Sequence, residues 1–207
     1  EVFVVNTLTP LLFFSSMGIV YKLKTHKIPS GSPTSKGKAL VNLLPLRSGE
    51  KITTTMPYNL SDKKNNIIFA TSLGNIRRNK LNDFHNINAN GKIAMKLKEK
   101  DSLVNVVVCS DRDNIFMSSR LGKCVRFSCK DLRVFSGRSS VGVRGVKLSN
   151  TDSIISLAIL NGFDFAVEER DEYLKICSAE RKNEKPESEI LDDKKLSLLK
   201  ENEEFIL

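Results

Sequence analysis

The sequence predicts a mainly β protein of propeller-like blades, each with about four strands in about 50 residues, followed by a charged helical segment. Three observations carry this expectation. A phrase with Gly at its head, Leu at its end and a basic residue inside occurs as GKALVNL at 37–43, GKIAMKL at 91–97 and GVRGVKL at 142–148. An apolar run enters a Gly turn in LFFSSMG (12–18), IFATSLG (68–74) and FMSSRLG (116–122). An acidic residue precedes an aliphatic run in EKITTT, DSLVNV and DSIISL, and these acids, Glu50, Asp101 and Asp152, are 51 residues apart each time. The turn glycines Gly18, Gly74 and Gly122 are 56 and 48 apart. Constancy at the strands with drift in the loops marks a structural repeat, because loops accept insertions.

The opening VFVVNTLTPLLFFSS reads as two strands joined by a turn, since Asn6, Thr7, Thr9 and Pro10 interrupt it. It has no basic leading region and is too short and broken to span a bilayer. Each unit then reads as a hairpin. The apolar strand meets the Gly turn, and a strand carrying Lys or Arg returns as IVYKLK, NIRRNK or KCVRFS. A loop of Ser, Asn, Gly and Pro follows, then the Gly-led strand, then the aliphatic strand after the acid. One such unit cannot bury its own face, whereas units stacked around an axis can. From Asp164 to Lys200 the residues are charged and helix-favouring, and Pro186 and Ser188 divide them into two helical segments, read as a hairpin between blades. Phe205, Ile206 and Leu207 resemble the start of another LFF strand. The expected organisation is thus about three blades over 1–160, an acidic helical insert over 161–203, and the start of a further blade strand at 204–207. A chain that opens on Glu1 is expected to be a fragment or a processed product.

Charge divides along the same line. The chain has 33 Lys and Arg against 24 Asp and Glu, a net of +9. Residues 1–160 hold 25 and 10, a net of +15, while 161–207 hold 8 and 14, a net of −6. A basic body points to a polyanionic partner, with solubilising surface charge as the plain alternative. Four cysteines, Cys109, Cys124, Cys129 and Cys177, form no CxxC pair, so no metal site is expected and the thiols suit a reducing cytosol. No Ser-His-Asp set, P-loop or dinucleotide fingerprint is present, and the recurring acids suit turns better than a paired-carboxylate site.

The candidate DNA contacts follow the repeat. Lys22, Arg78 and Arg126 each lie four residues after a turn Gly, and Lys24 and Lys80 match each other two residues further on. Lys38, Lys92 and Arg144 lie in the Gly-led phrase, and Lys36 and Arg77 adjoin these positions. If the units are rotated copies, equal positions share one outer edge. The resulting stripe of cations suits a bent duplex, met through phosphates rather than base edges.

The stretches NTLTPLLFFSSMGIVYKLKTHKIP, GKALVNLLPLRSGEKITTTMP, FATSLGNIRRNKLNDF and GKIAMKL, with RSSVGVRGVKL, resemble the C-terminal region of DNA gyrase A. The resemblance covers nearly all of 1–160. The acidic segment ahead of EEFIL is similar to the insert of alphaproteobacterial gyrase A proteins, and the corresponding chain of topoisomerase IV has a related, more divergent region. It implies a β-pinwheel, a propeller-like ring whose blades exchange strands, here incomplete with about three blades of six. It further implies a basic outer rim that binds and wraps duplex DNA, supporting ATP-dependent negative supercoiling in the bacterial cytoplasm, at the nucleoid, away from membranes. The implied partners are duplex DNA, gyrase B, which hydrolyses ATP, and the remainder of gyrase A, which carries the DNA-cleaving tyrosine. The family's Gln-Arg-Arg-Gly-Gly-Lys-Gly box is absent. Its nearest echo, SKGKAL at 35–40, keeps Lys36, Gly37 and Lys38, so the chain is expected to lack the first blade. Tyr21, Tyr58 and Tyr173 do not sit in the cleavage motif. No catalytic residue, metal or cofactor is therefore expected of this chain, ATP and Mg belonging to the whole enzyme. The alternatives are a protein-interaction propeller whose basic rim meets an acidic partner, segment 164–204 included, and an inactive fragment of a split gyrase gene.

Overall fold

A computed structural model of the chain describes residues 4–59, 66–162, 166–182, 191–201 and 203. They fall into two compact units, 1–161 and 162–207. The first is built of three small sheets. In the first sheet, β1 (Pro10–Ser15) and β2 (Ile19–Lys24) form a hairpin, and β3 (Ile52–Pro57) lies on the other side of β1. The second repeats the plan with β4 (Asn66–Thr71) and β5 (Asn75–Lys80); between them and its aliphatic strand the chain places the short β6 (Lys92–Ile93), and β7 (Leu103–Cys109) then pairs with β4. In the third, β8 (Asn114–Ser119) and β9 (Cys124–Ser128) form the hairpin. The short β10 (Val134–Phe135) and β11 (Val143–Arg144) follow, and β12 (Ile154–Leu160) pairs with β8.

The short strands explain why the Gly-led phrase recurs. β6, inside the second phrase, does not join its own blade but adds antiparallel to β2 of the blade before, with Ile93 opposite Ile19 and Lys92 opposite Val20. β11, inside the third phrase, adds to β5 in the same register, with Arg144 opposite Asn75 and Val143 opposite Ile76. β10 joins β5 too, in parallel. Each junction is therefore an exchange of a strand from one blade to its predecessor. Two expectations change here. The Gly-led phrase forms only a two-residue strand where it docks, and in the first phrase none, Leu40–Asn42 being a single 3-10 turn. A ladder needs a partner edge, and among the described residues none faces 37–43. Among its described residues the opening stretch holds one strand, Val2 and Phe3 lying outside them. Asn6 closes a turn by accepting from Leu8 N and Thr9 N, which leaves Val4 in solvent ahead of β1.

Period-2 alternation builds the cores. Leu12 and Phe14 of β1 pack into one core with Ile67 and Phe69 of β4, around Phe84, Met95 and Val106. Ile68 and Ala70 of β4 face the other way, into a core with Ile115 and Met117 of β8 and Leu157 of β12. β4 is consequently buried along its whole length. Leu11 and Phe13 turn to a third cluster that the chain's own Leu44 covers. Each sheet thus has a rear face and a forward face, and the forward face is the next blade's core.

The second unit contains α1 (Val167–Arg181) and α2 (Asp193–Glu201). Tyr173 and Ile176 bury against Leu191, Leu196 and Leu199. Ion pairs Lys195–Glu169 and Lys200–Glu180 join the two helices. The expected strand start at 204–207 lies outside the described residues.

Candidate nucleic-acid interface

Two of the three recurring acids anchor hairpin turns, and the third, Glu50, ties the loop turn before β3 to β2. Asp101 Oδ1 accepts from Ser72 Oγ at 2.9 Å and Leu73 N at 3.0 Å, and Asp152 accepts from Ser119 Oγ at 2.7 Å and Leu121 N at 3.0 Å. Glu50, one methylene longer, takes Tyr21 OH at 2.8 Å and Arg47 N at 2.8 Å. Burial alone would raise the Asp152 carboxyl, but the bonds from Ser119, Leu121 and Ser153 outweigh it and hold the group below the ordinary carboxylate value. Glu50 is likewise lowered, its bonds from Arg47, Ser15 and Tyr21 overcoming desolvation. These carboxylates are spent on structure.

The cations four residues after each turn Gly do not share an exposed edge. Their strand register shows why: Lys22 stands opposite Leu12, Arg78 opposite Ile68 and Arg126 opposite Phe116. Cross-strand partners point to the same face, and this is the forward face, so each cation is aimed at the following blade. Lys22 is half-buried. Its Nζ donates to His85 O at 2.6 Å and lies 5.2 Å from the Tyr58 ring centroid. Desolvation, then the nearby Lys24, lowers its pKa. Arg78 is only 4% exposed; it donates to Cys129 O at 2.6 Å and Leu132 O at 3.2 Å, and pairs with Asp111. Both side chains clasp the end of a 3-10 turn that follows the next blade's hairpin. Arg126, in the third blade, is exposed.

Arg77 is fully buried. Its guanidinium donates to Arg138 O at 2.7 Å, Ser140 O at 2.8 Å and Ala94 O, and sits 5.3 Å from the Phe69 ring centroid. Burial pulls its pKa down to about 10, which leaves it charged at neutral pH. Arg77 and Arg78, expected on the rim, are therefore internal clamps that no phosphate reaches in this structure. The remaining candidates are placed differently. Lys24, Lys36, Lys38, Lys80, Arg126 and Arg144 are exposed, and Lys92 is half-buried with Nζ donating to Asn86 O at 3.3 Å. The sequence reading missed Lys96 and Lys147. Both are exposed, and both stand five residues after the Gly of a docked phrase, a match the repeat itself displays.

The family model described as DNA gyrase C-terminal domain, beta-propeller, matches residues 9–59, 65–110 and 113–161. The chain belongs to this family. Each matched segment holds one hairpin and its acid-led strand, so the three segments coincide with the three blades. DNA gyrase A of Rickettsia conorii is 46% identical over 179 residues, covering 85% of this chain and 20% of that protein. Its counterpart in Rickettsia bellii is 43% identical over 219 residues, covering all of this chain and 24% of that protein. The chain thus spans a quarter or less of these gyrase relatives. Among solved structures, the C-terminal domain of DNA topoisomerase IV matches with a TM-score of 0.70 at 22% identity, over 77% of this chain and 50% of that one. The DNA gyrase A C-terminal domain matches with a TM-score of 0.61 at 24% identity, over 75% and 49%. At that identity the two share the gyrase family's fold: mainly β, in propeller-like blades. No helix among the described residues is long and apolar enough to cross a membrane.

Proposed function

We propose that this chain is the DNA-binding part of a DNA gyrase A protein, holding duplex DNA by its phosphates with little base readout. The observation that carries the reading is the net +15 over residues 1–160, much of it exposed, on a fold of the gyrase C-terminal family. Lys24, Lys36, Lys38, Lys80, Lys92, Arg126 and Arg144 are the proposed contacts, joined by Lys96 and Lys147. Duplex DNA presents a charge about every 1.7 Å along its axis, so separated cations follow it better than one cluster. Among the described residues of the blades no element offers a helix to the major groove, which supports phosphate contact over base reading. In the whole enzyme the chain works with the remainder of gyrase A and with gyrase B, supporting ATP-dependent negative supercoiling in the bacterial cytoplasm, at the nucleoid. Cleavage and ATP hydrolysis, with Mg, belong to those other parts, and this chain takes no cofactor. No observation favours the protein-interaction propeller or the inactive-fragment alternative.

The test is fluorescence anisotropy on duplexes of unrelated sequence across a salt series. The expected result is affinity that falls steeply with salt and varies little with sequence. A flat dependence on salt removes the phosphate model.

A further inference from the structure

The junction between the second and third blades encloses a pair of thiols with no part in the proposed function. Cys109 ends β7 of the second blade, and Cys129 opens the 3-10 turn Cys129–Asp131 of the third. Both are free, and both are buried, at 3% and 0% exposure, in one core with Ile68, Ile115 and Leu132. The backbone beside them is drawn together by one residue. Asp113 O accepts from Cys129 N at 2.9 Å, and the Asp113 carboxylate accepts from Ser110 N, next to Cys109, at 2.7 Å. The two side chains meet: the Cys109 thiol donates to the Cys129 sulfur.

The surroundings give the two sulfurs different roles. The bond from Cys109 favours a thiolate at Cys129; burial opposes it, the Arg78 charge supports it, and the net direction for the Cys129 thiol is down. The same bond, with burial, pushes the Cys109 thiol up. Arg78 is fixed beside the pair by its bond to Cys129 O at 2.6 Å. A nucleophilic sulfur in contact with a neutral partner thiol is the arrangement that a hydroperoxide converts to a disulfide.

We propose that Cys109 and Cys129 form a reversible, peroxide-responsive disulfide that staples the second blade to the third. In the first step the Cys129 thiolate attacks one oxygen of hydrogen peroxide. The O–O bond breaks, leaving a sulfenic acid and a hydroxide that becomes water with the proton the thiol gave up. In the second step the Cys109 sulfur attacks the sulfenic sulfur. The S–O bond breaks, the S–S bond forms, and the departing hydroxide leaves as water with the Cys109 proton. The pair loses two electrons and two protons, and the peroxide becomes two waters. Ser110, Asp111 and Arg112 are exposed, so a local opening of this loop admits so small an oxidant. A dithiol reverses the bond by exchange. The staple closes a loop of about 20 residues between positions the fold already holds together, so it restricts the unfolded chain far more than the native one.

The test uses the full chain carrying Cys124→Ser and Cys177→Ser, which leaves only this pair. Hydrogen peroxide in small excess is expected to give a monomer lighter by two hydrogen atoms, with a peptide pair joining residues 109 and 129, and dithiothreitol to restore the original mass. The thermal midpoint is expected to rise by about 5–10 °C on oxidation and to fall back on reduction. In the unsubstituted chain the same 109–129 link is expected, which guards against an effect of the substitutions themselves. Adding Cys109→Ser to the first protein removes the second thiol, so dimedone should then trap a sulfenic acid at residue 129. Peroxide that leaves the 109–129 pair unlinked in both folded proteins, or a linked protein that melts no higher than the reduced one, overturns the proposal.

Discussion

Arg78 and Arg126 occupy the same place in successive blades, and their surroundings are opposite. Arg78 lies inside, donating to two carbonyl oxygens of the third blade and pairing with Asp111. Arg126 lies in water. Nothing in the two hairpins explains the contrast, since both cations stand opposite an apolar residue on a forward face. What differs is the cover: the third blade's loop, 129–140, crosses the second blade, and no described segment crosses the third. Repetition of a charged residue therefore has two sources in this fold. One is the junction, which needs a long donor to satisfy loop carbonyls; the other is the rim. Lys24 and Lys80, two residues further along and exposed, belong to the second kind.

The contrast can be broken at its strongest point by removing the clamps. Arg77→Met leaves three carbonyl oxygens without their donor and should destabilise the protein by about 4 kcal/mol in denaturant unfolding. Arg78→Met should cost about 2–3 kcal/mol on the same ground, the exposed Asp111 returning to water. Arg126→Met should stay within about 0.5 kcal/mol, as an exposed substitution does. Next in size are the turn glycines. Alanine at either Gly74 or Gly122 meets a positive φ and should cost about 1 kcal/mol for that alone. Gly74→Ala also drives a methyl against the docked strand, bringing its total to about 3 kcal/mol by thermal unfolding. Equal losses at the two sites would mean that the second junction is not as close as described.

Acid should act on the turns. Glu50 and Asp152 both hold their protons less readily folded than unfolded. Their contribution is therefore complete above the ordinary carboxylate pKa, about 4, and is lost as pH falls from there through the lower folded values. Asp152→Asn should destabilise the protein at pH 7 and flatten part of this acid limb, read by urea unfolding at stepped pH. The smallest stability effect belongs to the rim. Lys24→Gln with Lys80→Gln should leave unfolding within about 0.5 kcal/mol, while the slope of log affinity against log salt for duplex DNA falls by about two.

The repeat, the hairpins and the role of the acids were legible because each rests on local chemistry: a Gly turn between apolar strands, a carboxylate near the turn's free N–H groups. Blades of the gyrase family type could be counted from such landmarks. The burial of Arg77 and Arg78 was harder to read, because composition shows a cation but not its face. A signal was nonetheless present for Arg78. Counting back across the Gly turn pairs it with Ile68, and Ile68 sits in an uninterrupted apolar run, IIFA, that only a strand buried on both faces requires. The strand exchange was expected from the resemblance to the gyrase family, but the residues alone do not show it. GKIAMKL reads as a strand wherever it goes, and only the register against Ile19 and Val20 shows that it leaves its own blade. The first phrase, with the same signature, forms no strand at all, since a two-residue ladder exists only where an edge receives it.

Arginine accessibility tests the junction account most directly. The native protein is treated briefly with phenylglyoxal and the modified arginines are quantified by mass spectrometry. Arg126 and Arg144 should react readily, while Arg77 and Arg78 stay protected until the protein unfolds. Modification of Arg78 in the folded protein at the rate of Arg126 would contradict the account.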